Sequence, residues 1–197
     1  MNYLAHLLLS GNNSSFVIGN FIGDEVKGSS YLGYPQGISA GIQLHRSIDT
    51  FTDSHPVVKS SKKRLQPVHG KFSGVILDVF YDYFLSKNWD SYCDQDLKSF
   101  IQDTYYLLQT NRNIMPKISQ IILDKMVEDD WIGSYCNTDG IDRALKGLSR
   151  RTKYKNSMGE AVTELIKYED LFNVDFNRYF PDIIAHCKTY LQQYGKA

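Results

Sequence analysis

The chain has 197 residues, with 22 Lys and Arg against 22 Asp and Glu, and therefore no formal net charge. That length fits one domain with a sizeable core, and a composition 42% hydrophobic and 22% charged excludes a disordered chain. A zero balance also excludes a protein that coats nucleic acid or membranes through bulk positive charge, so the placement of the charges becomes the informative quantity.

Cys93, Cys136 and Cys187 are widely spaced and form no CxxC pair, which gives neither a disulfide framework nor a zinc-finger spacing. The opening MNYLAHLLLS lacks a positive leader and carries His6 inside its apolar run. No apolar stretch reaches the roughly 18 residues of a membrane span. A reducing, cytoplasmic setting is the expectation, with no membrane partner.

Helical periodicity recurs along most of the chain and strand signals are scarce. A first helix is expected over about residues 2–10, ending at Gly11. Residues 12–15 then offer N-cap side chains for a second helix reaching Val26. Residues 27–36, rich in Gly, Ser and Pro, read as a loop. A third helix is expected over about 37–54 and a short fourth from Pro56, a residue favoured in the first turn. The fifth, about 72–88, is apolar on nearly every side, which assigns it to the centre of a bundle. Amphipathic spacing continues over 96–111, 116–134, 139–149 and 157–172, and a last helix is expected from Pro181. With no internal repeat or linker, residues 1–197 read as a single all-α domain, a helical bundle.

The chemistry shows where polar residues fall on apolar faces. On the third helix Ile38, Gly41, Ile42, His45, Ile48, Asp49 and Thr52 share one face, so His45 and Asp49 meet one turn apart. On the fifth helix Asp78 and Asp82 interrupt the most apolar run at the same spacing. Two carboxylates so placed repel, and burying either alone costs several kcal/mol. Arg46, a protonated His45 or a bound cation would offset them. Carboxylate oxygens with imidazole suit manganese, magnesium, iron or zinc. His6 among leucines and Asp24 near the end of the second helix extend the set to four helices, which is how bundles build metal sites. The plain alternatives are a hydrogen-bonded core histidine for His6, a solvated Asp24, a His45–Asp49 packing pair and an Arg or Lys partner for Asp78 and Asp82. His55 and His69 fall in expected loops and, with His186, read as surface residues.

At these residues the sequence resembles a known family. MNYLAHLLLS, FIGDEVKG, GIQLHRSIDTFTDSHP and VILDVFYDYFLSKNW, in that order over at least residues 1–90, are similar to the acyl-carrier-protein phosphodiesterases. The resemblance implies an all-helical, HD-phosphohydrolase-like fold and a divalent metal, typically manganese. The implied reaction is hydrolysis of the phosphodiester that joins 4′-phosphopantetheine to a carrier-protein serine. The family pattern falls on Asn2, His6, Asp24, His45, Arg46, Asp49, Asp53, Asp78 and Asp82. Two departures stand out: no His-Asp dipeptide occurs, and Tyr83 follows Asp82 where many relatives have His.

Together these readings make His45, Asp49, Asp78 and Asp82 the candidate metal ligands. His6 would complete the shell or orient water, Asp24 would act as general base, and Arg46 would clamp the phosphate. Between Asp53 and Asp78 no acid occurs, while Lys59, Lys62, Lys63, Arg64 and Lys71 form a basic stretch expected to meet an acidic acyl carrier protein. A second acid-free stretch, 144–159, holds Lys146, Arg150, Arg151, Lys153 and Lys155. Basic patches also suit nucleic acid, but 54–71 lacks interleaved aromatic residues. The competing functions are an HD-like hydrolase of nucleotides or other small phosphoesters, and a non-enzymatic helical module whose polar core only sets register.

Overall fold

A computed structural model describes residues 1–194; the last three residues of the expected 1–197 domain lie outside the described residues. The architecture is all-α, with no strand among the described residues. The helices are α1 (Tyr3–Leu9), α2 (Ser14–Phe21), α3 (Gln36–Ser54), α4 (Pro56–His69), α5 (Ser73–Lys87), α6 (Leu97–Thr110), α7 (Lys117–Glu128), α8 (Trp131–Ser134), α9 (Thr138–Arg151), α10 (Val162–Lys167) and α11 (Glu169–Tyr194). None is long and apolar enough to cross a membrane.

The centre is α5, as its sequence requires. Ile76, Leu77, Phe80, Tyr81, Phe84 and Leu85 are all buried, and α11 lays Phe172, Phe176 and Tyr179 against them. Each such aromatic side chain withdrawn from water contributes about 1.5–3 kcal/mol, so this pair of helices supplies much of the stability.

Helix α1 sits close by and is only seven residues long, too short to stand alone in water. Its N-cap residue, Asn2, makes no side-chain cap. The carboxylate of Asp82 on α5 takes that role, accepting from the backbone N–H groups of Leu4 (2.8 Å) and Ala5 (3.2 Å). A negative charge at a helix N-terminus also complements the helix dipole.

Glycine sets the distance between α2 and α3. A Cβ on Gly19 would lie 2.1 Å from the carbonyl oxygen of Ile38, and one on Gly41 would lie 2.5 Å from that of Phe16. The two helices therefore meet backbone to backbone. Gly23, just past α2, would likewise drive a Cβ into the ring of His45 at 2.4 Å. This crowding accompanies the early stop of α2 at Phe21, five residues before the expected Val26, and it leaves Asp24 on a turn.

Three other boundaries differ from expectation. The 116–134 helix breaks at Asp130, whose backbone is left-handed (φ 44°) and whose side chain caps α8 at the N–H of Gly133. The 157–172 segment becomes a 3-10 turn, α10 and the start of α11. Pro181 lies inside α11 rather than at its start, because Phe172, Phe176, Phe180, Ile183 and Cys187 continue one buried stripe through it. An interior proline costs a helix about 3 kcal/mol, and the aromatic burial on both sides exceeds that.

Candidate metal centre

The site is assembled around one buried asparagine that links three helices. Asn20 on α2 directs its Nδ2 to the carbonyl of His6 (2.9 Å) and to Ser10 Oγ (2.8 Å). Its Oδ1 therefore faces the opposite way, and there it meets His6 Nδ1 on α1 (2.8 Å) and His45 Nδ1 on α3 (3.0 Å). An amide oxygen only accepts, so both imidazoles carry their proton on Nδ1 and donate it to Asn20. The carbonyl of Asn20 also accepts from His45 Nδ1 at 2.9 Å. The two rings stack with centroids 4.1 Å apart, and their Nε2 atoms point to a common place.

Asp49, one turn beyond His45 on α3, closes that place. Its Oδ1 lies 3.2 Å from His6 Nε2 and its Oδ2 lies 3.2 Å from His45 Nε2. One ligand atom from each of these three residues can be chosen within 4.8 Å of the others. His45 Nε2 is buried and has no hydrogen-bond partner, although Asp24 Oδ1 is also only 3.3 Å away. Two histidines each fixed at Nδ1, with His45 Nε2 unpartnered and His6 Nε2 against Asp49, form together with that carboxylate a donor set for a divalent cation.

Protonation explains the fit. Burial holds His6 below the ordinary histidine range, and the neighbouring His45 adds to this. Neutral His6 with its proton on Nδ1 presents a lone pair at Nε2 to a carboxylate oxygen, an arrangement that a cation between them relieves. Burial pulls His45 down, but Asp24 and Asp49 outweigh it and push that imidazole up to about 9. Burial raises Asp49, yet the histidines hold its carboxyl well below the usual carboxylate range. In the absence of a metal, His45 thus supplies a positive charge among the acids. The α-amino group of Met1 supplies another, 3.2 Å from Asp78 Oδ1 and 3.6 Å from Asp49 Oδ1.

With this geometry in hand, comparison with known proteins is decisive. The family model of acyl carrier protein phosphodiesterase matches residues 1–183. The chain belongs to the acyl carrier protein phosphodiesterase family. Similar relatives carry the same description. One from Enterobacter sp. (strain 638) is 28% identical over 190 residues, 96% of this chain and 98% of the relative. One from Photorhabdus laumondii is 28% identical over 190 residues, 96% of each chain. One from Salmonella agona is 27% identical over 188 residues, 95% of this chain and 97% of the relative. No solved structure matches.

Within this acyl carrier protein phosphodiesterase-family chain, the candidate residues separate. His6, Asp24, His45 and Asp78 line one pocket of about 240 Å³, together with Asn2 and Tyr3, while Asp49, outside that lining, faces the two imidazoles at 3.2 Å. Asp24 is the accessible one: its side chain is 71% exposed, and the contact with His45 holds its carboxyl below the ordinary range.

Asp82 is placed differently from its expected role as a ligand. It is fully buried, and both its oxygens are taken by the start of α1. Arg46 is also placed away from the pocket. Its guanidinium donates to the carbonyl of Val26 (2.8 Å) and lies over the Tyr31 ring, fastening the 26–31 segment to α3.

The basic stretch on α4 and the turn after it is partly consumed by internal pairing. Lys62 pairs with Asp53, Arg64 with the buried Asp175, and Lys71 stacks on Tyr154, while Lys59 and Lys63 stay exposed. None of the five lines the pocket.

The other histidines are not free surface residues. His69 is buried between Ser157 and Glu164, His55 contacts Asp182, and His186 contacts Ser47 and stacks on Phe51. Asn20 carries no sequence signal beyond an amide inside the apolar run FVIGNF.

Proposed function

We propose that this chain is a metal-dependent hydrolase that releases 4′-phosphopantetheine from the carrier serine of holo-acyl carrier protein. The observation that carries this reading is the His6–His45–Asp49 cluster, pre-oriented by Asn20, in a member of a family described by that substrate. His6 and His45 would hold the cation through Nε2, with Asp49 as the carboxylate ligand. When bound, a divalent cation supplies charge to offset that on the phosphoryl oxygens and acidifies water near neutral pH. Manganese is the ion proposed; magnesium, iron and zinc suit the same donors.

The chain's own groups do the rest. Asn20 keeps both imidazoles in the tautomer that leaves Nε2 free. Asp24, exposed at the mouth and adjacent to His45, accepts the proton of the attacking water. Asp78 lines the same pocket and holds the Met1 α-amino group, which also lies against Asp49. Water attacks phosphorus, the bond from phosphorus to the serine oxygen breaks, and that oxygen leaves with a proton as the apo-carrier serine. The partner is acyl carrier protein, and the cytoplasm, where that carrier works, is the proposed location.

The test is incubation of the purified, manganese-loaded protein with holo-acyl carrier protein and, in parallel, with a nucleotide panel. Loss of the phosphopantetheine mass from the carrier is expected. Turnover of nucleotides alone would assign the chain to small-molecule phosphohydrolysis. Turnover of neither substrate would leave a binding module.

A further inference from the structure

A cavity of about 690 Å³ lies beside the metal pocket and is not used by the mechanism above. It is bounded by the start of α1, by α8 and by one face of α9. Asn2, Tyr3 and Leu148 line both spaces, so the two are neighbours that share a wall. The volume is that of a small-molecule site, whereas the metal pocket alone, about 240 Å³, falls below the usual range for one.

The walls are organised by depth. Tyr135 and Gly140 are buried at the base, Tyr3 and Trp131 are half-buried, and the exposed rim carries Lys125, Arg143, Arg150 and Arg151 against one acid, Asp129. Among the described residues, none of the three guanidinium groups pairs with a carboxylate, and Arg151 instead lies over Trp131. An occupant suited to these walls has a slender body of apolar and amide groups and is attached to something acidic that faces the rim.

Gly147, on the α9 face of the cavity, is the second observation. Gly140 on the same helix is required by packing, because a Cβ there would lie 1.7 Å from the carbonyl oxygen of Ser134. Gly147 has no such reason: its nearest neighbour would be Arg151 Nη2 at 3.9 Å. A helix-interior glycine lowers stability relative to alanine, so its presence without a packing need leaves an unexplained space. That space is the cavity.

We infer that this cavity receives the organic arm of the phosphodiester substrate, and that Gly147 is a specificity-determining position that keeps room for it. The inference rests on the reading that 4′-phosphopantetheine is the group released. The phosphodiester would lie at His6, His45 and Asp49. The arm, a narrow chain of amides and short apolar links, passes Tyr3 and Leu148 into the cavity. The acidic carrier stays outside, against the cationic rim.

Calorimetric titration of the full, manganese-loaded chain with 4′-phosphopantetheine, inorganic phosphate and adenosine monophosphate tests this without turnover. The wild type is expected to favour 4′-phosphopantetheine over phosphate by at least about tenfold. Gly147→Leu fills the cavity and improves helix propensity, so it should melt at or above the wild-type temperature while losing most of that preference. Should Gly147→Leu fail to fold, Ala144→Leu narrows the same face and is read the same way. Equal affinity for phosphate, tighter binding of adenosine monophosphate, no binding of 4′-phosphopantetheine, or a filled variant that keeps the preference would each overturn the inference. Hydrolysis of holo-carrier is scored separately, so absence of turnover with the binding preference intact counts against the hydrolytic reading and not against the cavity.

Discussion

Two polar clusters lie inside this bundle, and they are built on opposite principles. Between α4 and α11, buried Asp175 is paired with Arg64, receives the hydroxyl of Ser61, and is linked through Ser61 to Tyr81. Every strong group there finds its partner within the protein. Between α1, α2 and α3, His45 Nε2 is buried without a hydrogen-bond partner, and two carboxylates, Asp24 at 3.3 Å and Asp49 at 3.2 Å, converge on it. A polar network that serves the fold closes on itself, whereas one that serves chemistry leaves an unsatisfied coordination direction.

The sharpest way to break this contrast is His45→Ala. At the open cluster it should abolish bound manganese and reduce 4′-phosphopantetheine release by at least about a thousandfold, equivalent to roughly 4 kcal/mol of lost transition-state stabilisation. Metal analysis and a discontinuous mass assay read the two effects. An ordinary rate would show that the unsatisfied nitrogen is structural after all.

At the closed cluster, Arg64→Ala leaves Asp175 buried and uncompensated, and stability should fall by about 3 kcal/mol. Metal content per folded molecule should stay as in the wild type. Urea unfolding alongside metal analysis checks both; parallel losses would mean that the clusters are not independent.

Asn20→Ala sharpens the same distinction from within the site. It removes the acceptor that fixes His6 and one of the two that His45 uses, the backbone carbonyl remaining, and it removes no ligand, so metal affinity should fall about 10-fold. Competition against a calibrated chelator measures it, and an unchanged affinity would reduce Asn20 to packing.

The smallest effect concerns pH. In metal-free protein His45 is raised from 6.5 to about 9, so its contribution to stability is complete below about pH 6.5 and is lost as pH rises through 9. The urea midpoint should therefore drop across that window, by on the order of 1–2 kcal/mol in stability. Bound metal needs neutral imidazole and should remove the drop. No resolvable drop in the chelator-treated protein would argue against carboxylate control of His45.

Much of this was legible in the sequence. The third helix presents His45 and Asp49 on its apolar face, and the periodicity of α3, α5 and α9 places those helices within a residue or two of where they lie. What stayed hidden depends on neighbours rather than spacing. Asp78 and Asp82 look equivalent at one turn apart, yet one faces the pocket and the other meets the start of α1, a distinction that exists only after the helices pack. Arg46 follows His45 directly and thus points about 100° around the helix, toward the 26–31 segment. Asn20 carries no unusual chemistry of its own and matters only because two histidines from other helices reach the same oxygen. Pro181 reads as a helix start by local preference, and the aromatic stripe on both sides of it overrides that preference.

The bare contact between α2 and α3 has a kinetic consequence. Where helices meet through long side chains, the gap between them breathes as rotamers exchange; here Gly19 and Gly41 leave no side chain to rearrange. Asn20 and His45 ride on that contact one and four residues away, so their spacing is inherited from two rigid backbones. Ion capture and release then need motion of a few side chains at the mouth, chiefly Asp24, and no movement of helices. Metal exchange in this protein should accordingly be timed by carboxylate motion and dehydration of the ion rather than by opening of the fold.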